Sequence, residues 1–269
     1  MIMQQQEIID LYSNKHKTTY EIAELLGIDR SSVARMLKKW DVQIINEQRK
    51  YYGLKRTPIS KEQHEMIVGT LLGDGCVAPH GRKNKSFRLI IGHCEKQKDL
   101  VIWKKKILAN FVNIINKRNE IRGNSTMYTF NTVTHDGFRF YNKLFYDNRK
   151  KVVRPEIEHC VTPLSLATWI MDDGSLNKNV NIRISTDGFS KDENVLLQRI
   201  LKMKFGINIK VCGYTRNNKE YYFLSANKRN SMILSEIVEP HIINCMKYKI
   251  ITAPQRLHAK LPVRDDDIV

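Results

Sequence analysis

Apolar residues recur at helical spacing through the first forty positions of the chain. Ile8, Ile9 and Tyr12 fall on one side of the run from Gln4 to Ser13, which predicts a helix. Thr18 stands three residues before Glu21, the layout of a capping box, and Ile22, Ala23, Leu25 and Leu26 supply the apolar side of a second helix. Gly27 breaks that helix and Ile28 is expected to plug inward. Asp29 is then placed to cap a third helix from Arg30 to Trp40, with Val33, Met36, Leu37 and Trp40 at helical spacing. Residues 42–58 are charged and mixed, punctuated by Gly53 and Pro58, and read as a basic linker.

From about residue 60 to 250 the pattern runs twice. An apolar helix, Ile67 to Leu72, ends in Gly73-Asp74-Gly75, and a second, Leu166 to Met171, ends in Asp172-Asp173-Gly174. The two aspartates, Asp74 and Asp173, lie 99 residues apart. Behind each Asp-Gly comes a strand-like run, Phe87 to His93 and Val180 to Thr186, then a helix, Lys96 to Phe111 and Lys191 to Phe205. Two strands follow near 113–121 and 127–134, then near 207–214 and 220–226, and a last helix covers 136–147 and 228–238. Each copy closes on a lysine pattern, with Lys151 77 residues after its aspartate and Lys249 76 after its own. Offsets that agree over such distances indicate duplication, and each half reads α-ββ-α-ββ-α.

Composition narrows the function. Lys and Arg number 45 against 28 Asp and Glu, a formal net charge of +17, and 42% of residues are hydrophobic, enough for a packed core. No apolar run approaches the roughly 18 residues of a spanning helix, so no membrane partner is expected. The first ten residues lack a signal-peptide layout, so the expected location is intracellular, wherever the target resides. Five scattered cysteines, none in a Cys-x-x-Cys pair, read as reduced thiols. The adjacent pairs His93-Cys94 and His159-Cys160 do not converge on a metal. Basic residues spread along the whole chain point to nucleic acid as the partner rather than an anionic bilayer.

With that charge, TTYEIAELLGIDRSSVARMLKKW resembles a helix-turn-helix, with small Ala23 at the helix crossing and Gly27 in the turn. Arg30, Ser31, Ser32, Arg35, Lys38 and Lys39 on its third helix are candidate phosphate and base-edge contacts. A plain three-helix packing unit with a solvated basic face is the alternative.

The two motifs, the repeat length and the strand–helix order resemble a double-motif LAGLIDADG homing endonuclease of the monomeric, intron-encoded type. "GTLLGDG", "LATWIMDDGS" and the closing "MKYKI" carry the likeness, which covers roughly residues 59–252. The resemblance implies an α+β fold: two pseudo-symmetric αββαββα halves, 59–154 and 155–252, with LAGLIDADG helices at their interface. A small all-α helix-turn-helix domain, 1–41, precedes them, and a tail, 253–269, follows. The resemblance implies a monomer that hydrolyses both strands of a long double-stranded DNA site across the minor groove, leaving a short 3′ overhang. An RNA-splicing maturase acting on intron RNA, or a non-catalytic transcriptional regulator, remains open on the same scaffold. Loss of the acidic pair would favour the regulator, and both aspartates are present.

The residues themselves supply a chemistry. Gly69 and Gly73, four apart, let another helix backbone approach, and Ala167 and Thr168 offer small side chains on the other helix. A crossing there brings Asp74 and Asp173 together, where each carboxylate raises the pKa of the other. A divalent cation resolves the repulsion. Mg²⁺, or Mn²⁺, suits the carboxylate oxygens, with the backbone carbonyls of Gly73 and Asp172 completing the shell. Such a site polarises a phosphate, generates hydroxide and stabilises the leaving 3′ oxygen. Lys151 and Lys249 are candidates to bear on the developing charge or the attacking water, with Lys150 and Lys247 as alternatives. An Asp-Gly at a helix end also fits a cap closed by a left-handed glycine. Asp172, where the family usually has a small residue, reads as a supporting acid or a packing spacer. Strand alternation turns Phe87, Leu89, Ile91, Tyr128, Phe130, Ile182 and Ile184 inward. It leaves Arg88, Thr129, Asn131, Asn181, Arg183 and Ser185 facing DNA, joined by Lys210 and Arg216.

Overall fold

The computed structural model describes residues 4–14, 17–42, 44, 57–80, 86–112, 115–119, 126–178 and 180–253. Most of the expected linker at 42–58 and all but the first residue of the tail at 253–269 lie outside the described residues. The chain divides into two compact units, Met1–Thr57 and Pro58–Val269.

In the first unit, helices α1 (Gln5–Ser13), α2 (Thr19–Leu26) and α3 (Arg30–Lys39) form as the pattern predicts. Thr18 and Glu21 exchange capping hydrogen bonds, Gly27 takes a left-handed φ of 64° at the end of α2, and the Asp29 carboxylate accepts the Ser32 N–H. Ile8, Leu11, Tyr12, Ile22, Ala23, Val33 and Leu37 make the core. Two residues expected inward are not: Leu25 is 58% and Ile28 39% exposed. The buried stripe of α2 runs through Thr19, Ile22 and Ala23, which leaves Leu25 off it, and Ile28 sits in the turn itself.

The second unit holds the duplication. Helix α4 (Lys61–Leu72) leads to β1 (Cys76–His80), β2 (Ser86–Cys94), α5 (Lys98–Ile107), β3 (Asn116–Asn119), β4 (Thr126–Asn131) and α6 (Phe138–Phe145). A short hairpin, β5 (Tyr146–Asp147) and β6 (Lys150–Lys151), closes the first half. The second half repeats the order with α7 (Pro163–Asp173), β7 (Gly174–Asn177), β8 (Asn181–Ile184), α8 (Lys191–Phe205), β9 (Lys210–Arg216), β10 (Lys219–Ser225) and α9 (Lys228–Val238). Its closing segment is a 3₁₀ helix, Asn244–Lys249. The antiparallel sheets run β1-β2-β4-β3 and β7-β8-β10-β9. Strands β1 and β7 carry little apolar signal and are fixed by pairing, Cys76 with Ile90 and Ser175 with Arg183. Helix α6 stops at Phe145, short of the expected 147, because Asn148 and Arg149 turn the chain at φ 44° and 70°.

Helices α4 and α7 are each capped by a hydroxyl, Ser60 and Thr162, and Pro163 opens α7. From Leu164 to Asp172 every residue of α7 is buried, and so is every residue of α4 from Met66 to Leu72. Helices apolar all round need partners on all sides, and these two pack on each other. The approach is close. A Cβ added to Gly69 would lie 2.1 Å from the Ser165 carbonyl oxygen and 2.6 Å from Thr168 Cβ. Ser165 and Thr168, rather than Ala167 and Thr168, therefore face the glycine. Among the described residues no helix is long and apolar enough to cross a membrane.

Candidate active site

Asp74 follows the C-cap residue Gly73 of α4, and Asp173 is the last residue of α7. Neither motif glycine serves as a left-handed cap: Gly174 has φ −74°, and Gly75 is not among the positive-φ glycines. Close packing explains them instead. A Cβ on Gly75 would lie 2.2 Å from Thr70 Cγ2, and one on Gly174 2.6 Å from the Ile170 carbonyl oxygen.

The crossing brings the two carboxylates within electrostatic reach. Burial, then the charges of Asp74 and Asp172, push the Asp173 carboxyl up to about 7, against the pull of Lys151 and Lys249. The Asp74 side chain is 48% exposed. The main chain of each motif receives one ammonium. Lys151 Nζ donates to the carbonyls of Gly73 at 2.7 Å and Gly75 at 2.8 Å, either side of Asp74. Lys249 Nζ donates to the carbonyls of Met171 at 2.6 Å and Asp172 at 2.8 Å, just before Asp173. Both satisfy carbonyls left open at a helix end. Burial pushes both lysines below their ordinary pKa, and the nearby aspartates oppose the shift. Lys150 and Lys247, the alternatives, are exposed.

Two expectations change in detail. The carbonyls of Gly73 and Asp172, expected as metal ligands, already accept ammonium protons, which leaves one lone pair on each. Of the two readings of the Asp172 side chain, a supporting acid or a packing spacer, its contacts favour the supporting acid. It is fully buried and accepts from Lys104 Nζ at 2.6 and 2.8 Å. Burial pushes its carboxyl up and the Lys104 ammonium opposes the shift. His93 shares the inward face of β2 with Leu89 and Ile91 and lies between the two motifs. Its Nδ1 is 3.5 Å from Asp74 Oδ2 and its Nε2 3.4 Å from Asp172 Oδ1. Burial, then Lys104, lowers its pKa to about 4, so the ring is neutral near pH 7. Sequence reasoning passed over His93 and Lys104. The available signal was a lysine in a core register of α5, in line with buried Leu100, Val101 and Leu108.

Among the described residues no group of three or more His, Cys, Asp or Glu side chains is placed to cage a metal. The donor set is an open pair of carboxylates, one of them pushed up by burial and then by its neighbours' charge, and a phosphate-bound Mg²⁺ fits such a pair.

The sheets alternate as expected. Leu89, Ile91, Phe130, Ile182 and Ile184 are buried, while Arg88, Thr129, Asn131, Arg183 and Ser185 are partly exposed and Asn181, Lys210 and Arg216 exposed. The outer face of the second sheet also carries aromatics that were not anticipated. Tyr214 stacks on its cross-strand partner Tyr221 at 5.4 Å, and the Arg183 guanidinium lies 3.7 Å over the Phe223 ring. In the first unit the candidate contacts are held internally. The Ser31 and Ser32 hydroxyls donate to Asp29, and Arg35 donates to Ser32 Oγ at 3.1 Å. Arg30 donates to Thr19 Oγ1 at 3.1 Å and lies over Tyr20, while Lys38 is exposed.

A duplicated αββαββα scaffold with paired carboxylates beneath a helix crossing and two outward sheets defines a DNA-cleaving nuclease of the two-motif class. The LAGLIDADG DNA endonuclease family model matches residues 64–234. Cytochrome b mRNA maturase bI2 of Debaryomyces hansenii is 30% identical over 200 residues, 72% of this chain and 75% of the maturase. The probable intron-encoded endonuclease 1 of Wickerhamomyces canadensis is 27% identical over 213 residues, 75% of this chain and 89% of its own. The structure of the homing endonuclease I-WcaI bound to its DNA recognition sequence matches with a TM-score of 0.67 at 26% identity, covering 80% of this chain and 97% of that one. The chain belongs to the LAGLIDADG DNA endonuclease family and is a site-specific DNA endonuclease.

Proposed function

We propose that the protein, as an intracellular monomer, hydrolyses both strands of a long asymmetric DNA site with Asp74 and Asp173 as its catalytic carboxylates. The observation that carries this is a pair of aspartates from distant motifs gathered at one helix crossing, each beside a lysine ammonium held by the motif's own carbonyls. Asp74 and Asp173 would hold divalent metal, Mg²⁺ or Mn²⁺, with the remaining lone pairs of the Gly73 and Asp172 carbonyls available to complete its shell. When bound, the metal supplies a Lewis acid for the phosphate and lowers the pKa of water. Lys151 serves the Asp74 end and Lys249 the Asp173 end, each placing positive charge where the pentavalent phosphate becomes more negative. Their lowered pKa makes each ammonium a readier proton donor to a leaving oxygen.

The outer sheet faces lie in the major groove and read bases. Arg88, Thr129 and Asn131 serve one half-site, and Asn181, Arg183, Ser185, Lys210 and Arg216 the other. The N-terminal unit acts as a helix-turn-helix whose Arg30, Ser31, Ser32, Arg35 and Lys38 face DNA and which adds affinity by linkage.

The test is cleavage of the uninterrupted host locus, the DNA lacking the inserted reading frame. Wild type cuts it, and Asp74→Asn and Asp173→Asn bind without cutting. Variants that cut as fast as wild type reject the assignment. A second reading, maturase activity, is favoured by the 30% identity to a cytochrome b mRNA maturase. It is tested by a gel shift and a splicing assay on the intron transcript.

A further inference from the structure

A buried polar cluster beside Asp74 takes no part in the hydrolysis described above. Lys104 and Asp172 side chains are both fully buried, and the ammonium reaches both carboxylate oxygens. Lys104 Nζ also lies 3.4 Å from His93 Nε2, a nitrogen itself 3.4 Å from Asp172 Oδ1, while His93 Nδ1 faces Asp74 Oδ2 at 3.5 Å. The Asp74 backbone N–H donates to Asp172 Oδ2 at 3.4 Å. A continuous line of polar contacts thus runs from α5, through the second motif, to the aspartate of the first.

The pseudo-twofold gives this line no mate. The registers that pair Cys76 with Ile90 and Ser175 with Arg183 superpose β2 on β8, with His93 on Thr186. The same offset carried into the helices puts Val101 on Asn194, Lys104 on Leu197 and Leu108 on Leu201, all buried. Asp172 itself corresponds to Gly73. The mate of the Lys104–Asp172 ion pair is therefore Leu197 with Gly73, and Thr186 bonds elsewhere, to Asn194 and the Tyr222 carbonyl. The fold closes one side without charge, so it does not require the ion pair, and a buried pair is a poor source of stability.

We infer that Lys104, Asp172 and His93 are positioning residues for Asp74 alone, which makes the two strand-cutting ends of the site unequal. Lys104 fixes the Asp172 carboxylate, and the two together seat the His93 ring. Asp172 holds the Asp74 backbone, and His93 faces its half-exposed carboxylate. Among the described residues nothing equivalent reaches Asp173. The inference rests on the assignment of Asp74 to phosphodiester hydrolysis.

The test uses the full chain and a supercoiled plasmid carrying the uninterrupted locus, with each strand followed separately. Lys151→Met first identifies the strand served by the Asp74 end. Lys104→Leu/Asp172→Gly then copies the mate pair and removes both charges together. Lys104→Met/Asp172→Asn, closer in shape, is run alongside. The expected result is an unchanged affinity for the plasmid duplex in EDTA, with the identified strand slowed at least tenfold more than the other, so that nicked circle accumulates. His93→Asn, which keeps a donor toward Asp74, retains the wild-type strand ratio, and His93→Leu shifts it. Equal slowing of both strands, or an unchanged ratio in both double variants, overturns the inference. Failure of the underlying assignment shows separately, as undiminished cutting by Asp74→Asn.

Discussion

Gly73 and Asp172 hold equivalent places in the two motifs, and the side chain of one fills the space left by the other. A Cβ on Gly73 would lie 2.6 Å from Asp172 Cβ and 2.8 Å from its Oδ2. The crossing is complementary at this level, not symmetric. Gly73→Ala is expected to drive Asp172 off Lys104 and destabilise the protein by about 1–3 kcal/mol. Asp172→Gly clears that space, so the Gly73→Ala cost should fall in the Asp172→Gly background. Urea denaturation of the four-member cycle measures the coupling. Additive effects would mean that the two positions do not compete for the same volume.

One turn earlier the obstacle is backbone, which cannot rotate away. Gly69→Ala would set its Cβ 2.1 Å from the Ser165 carbonyl oxygen. The helices must part, and a loss of about 3 kcal/mol or more is expected, with cleavage lost as the aspartates separate. Gly188→Ala is the control, since nothing lies within 4 Å of a Cβ there. Its melting temperature should stay within about a degree or two of wild type.

The Asp173 carboxyl links stability to pH. Its pKa rises from 3.8 to about 7 on folding, so between those values the folded protein keeps a proton that the unfolded chain releases. In the metal-free protein the contribution of this carboxyl is therefore fully present below about pH 4, and roughly 2–4 kcal/mol of it is lost as pH climbs through 7. Asp173→Asn removes this component. The gap in melting temperature between variant and wild type should widen from pH 4.5 to 8, and added Mg²⁺ should narrow it at the upper end. A gap that stays flat across that range would show that neither burial nor the neighbouring carboxylates raise the Asp173 pKa in the folded state.

The parts of this molecule that repeat were readable from sequence because repetition survives divergence. Two apolar helices ending in Asp-Gly, with lysines at matching offsets, located α4, α7, Asp74, Asp173, Lys151 and Lys249 without coordinates. The parts that break the repeat were not readable, because pattern-matching discards what occurs once. Lys104 looked like one more cation in a basic chain, and only its position in the buried stripe of α5 marked it. His93 was set aside as a chance neighbour of Cys94, although strand alternation already put it on the inward face with Leu89 and Ile91. Strands β1 and β7 were missed for another reason: their order comes from hairpin pairing, which segments of four or five residues with one buried apolar side chain or none do not advertise. The turn at Ile28 shows the limit of hydrophobicity alone, since Gly27 sets the direction of the chain there.

Arg183 offers the sharpest test of the outer sheet face. Its guanidinium lies over Phe223 at 3.7 Å, and Tyr214, 5.9 Å away, stacks on Tyr221. The rings hold the planar group flat, while Asp187 at 3.9 Å, partly exposed, tethers it only loosely. A guanidinium fixed in this way suits bidentate contact with a guanine edge. Arg183→Ala should then cost about 1–3 kcal/mol in target binding and relax preference at one base pair. It should leave the salt slope nearly unchanged, because a base contact releases few counterions. Arg216→Ala at the exposed end of β9 should do the reverse, weakening all sequences alike and lowering the slope by about one. Phe223→Leu keeps the charge and loses the platform, so discrimination should fall while the slope holds. Fluorescence anisotropy in EDTA, from 50 to 200 mM salt against the target and single-base variants, separates the three. If Arg183→Ala lowers the slope and leaves discrimination intact, Arg183 contacts a phosphate, and the aromatic platform serves packing rather than readout.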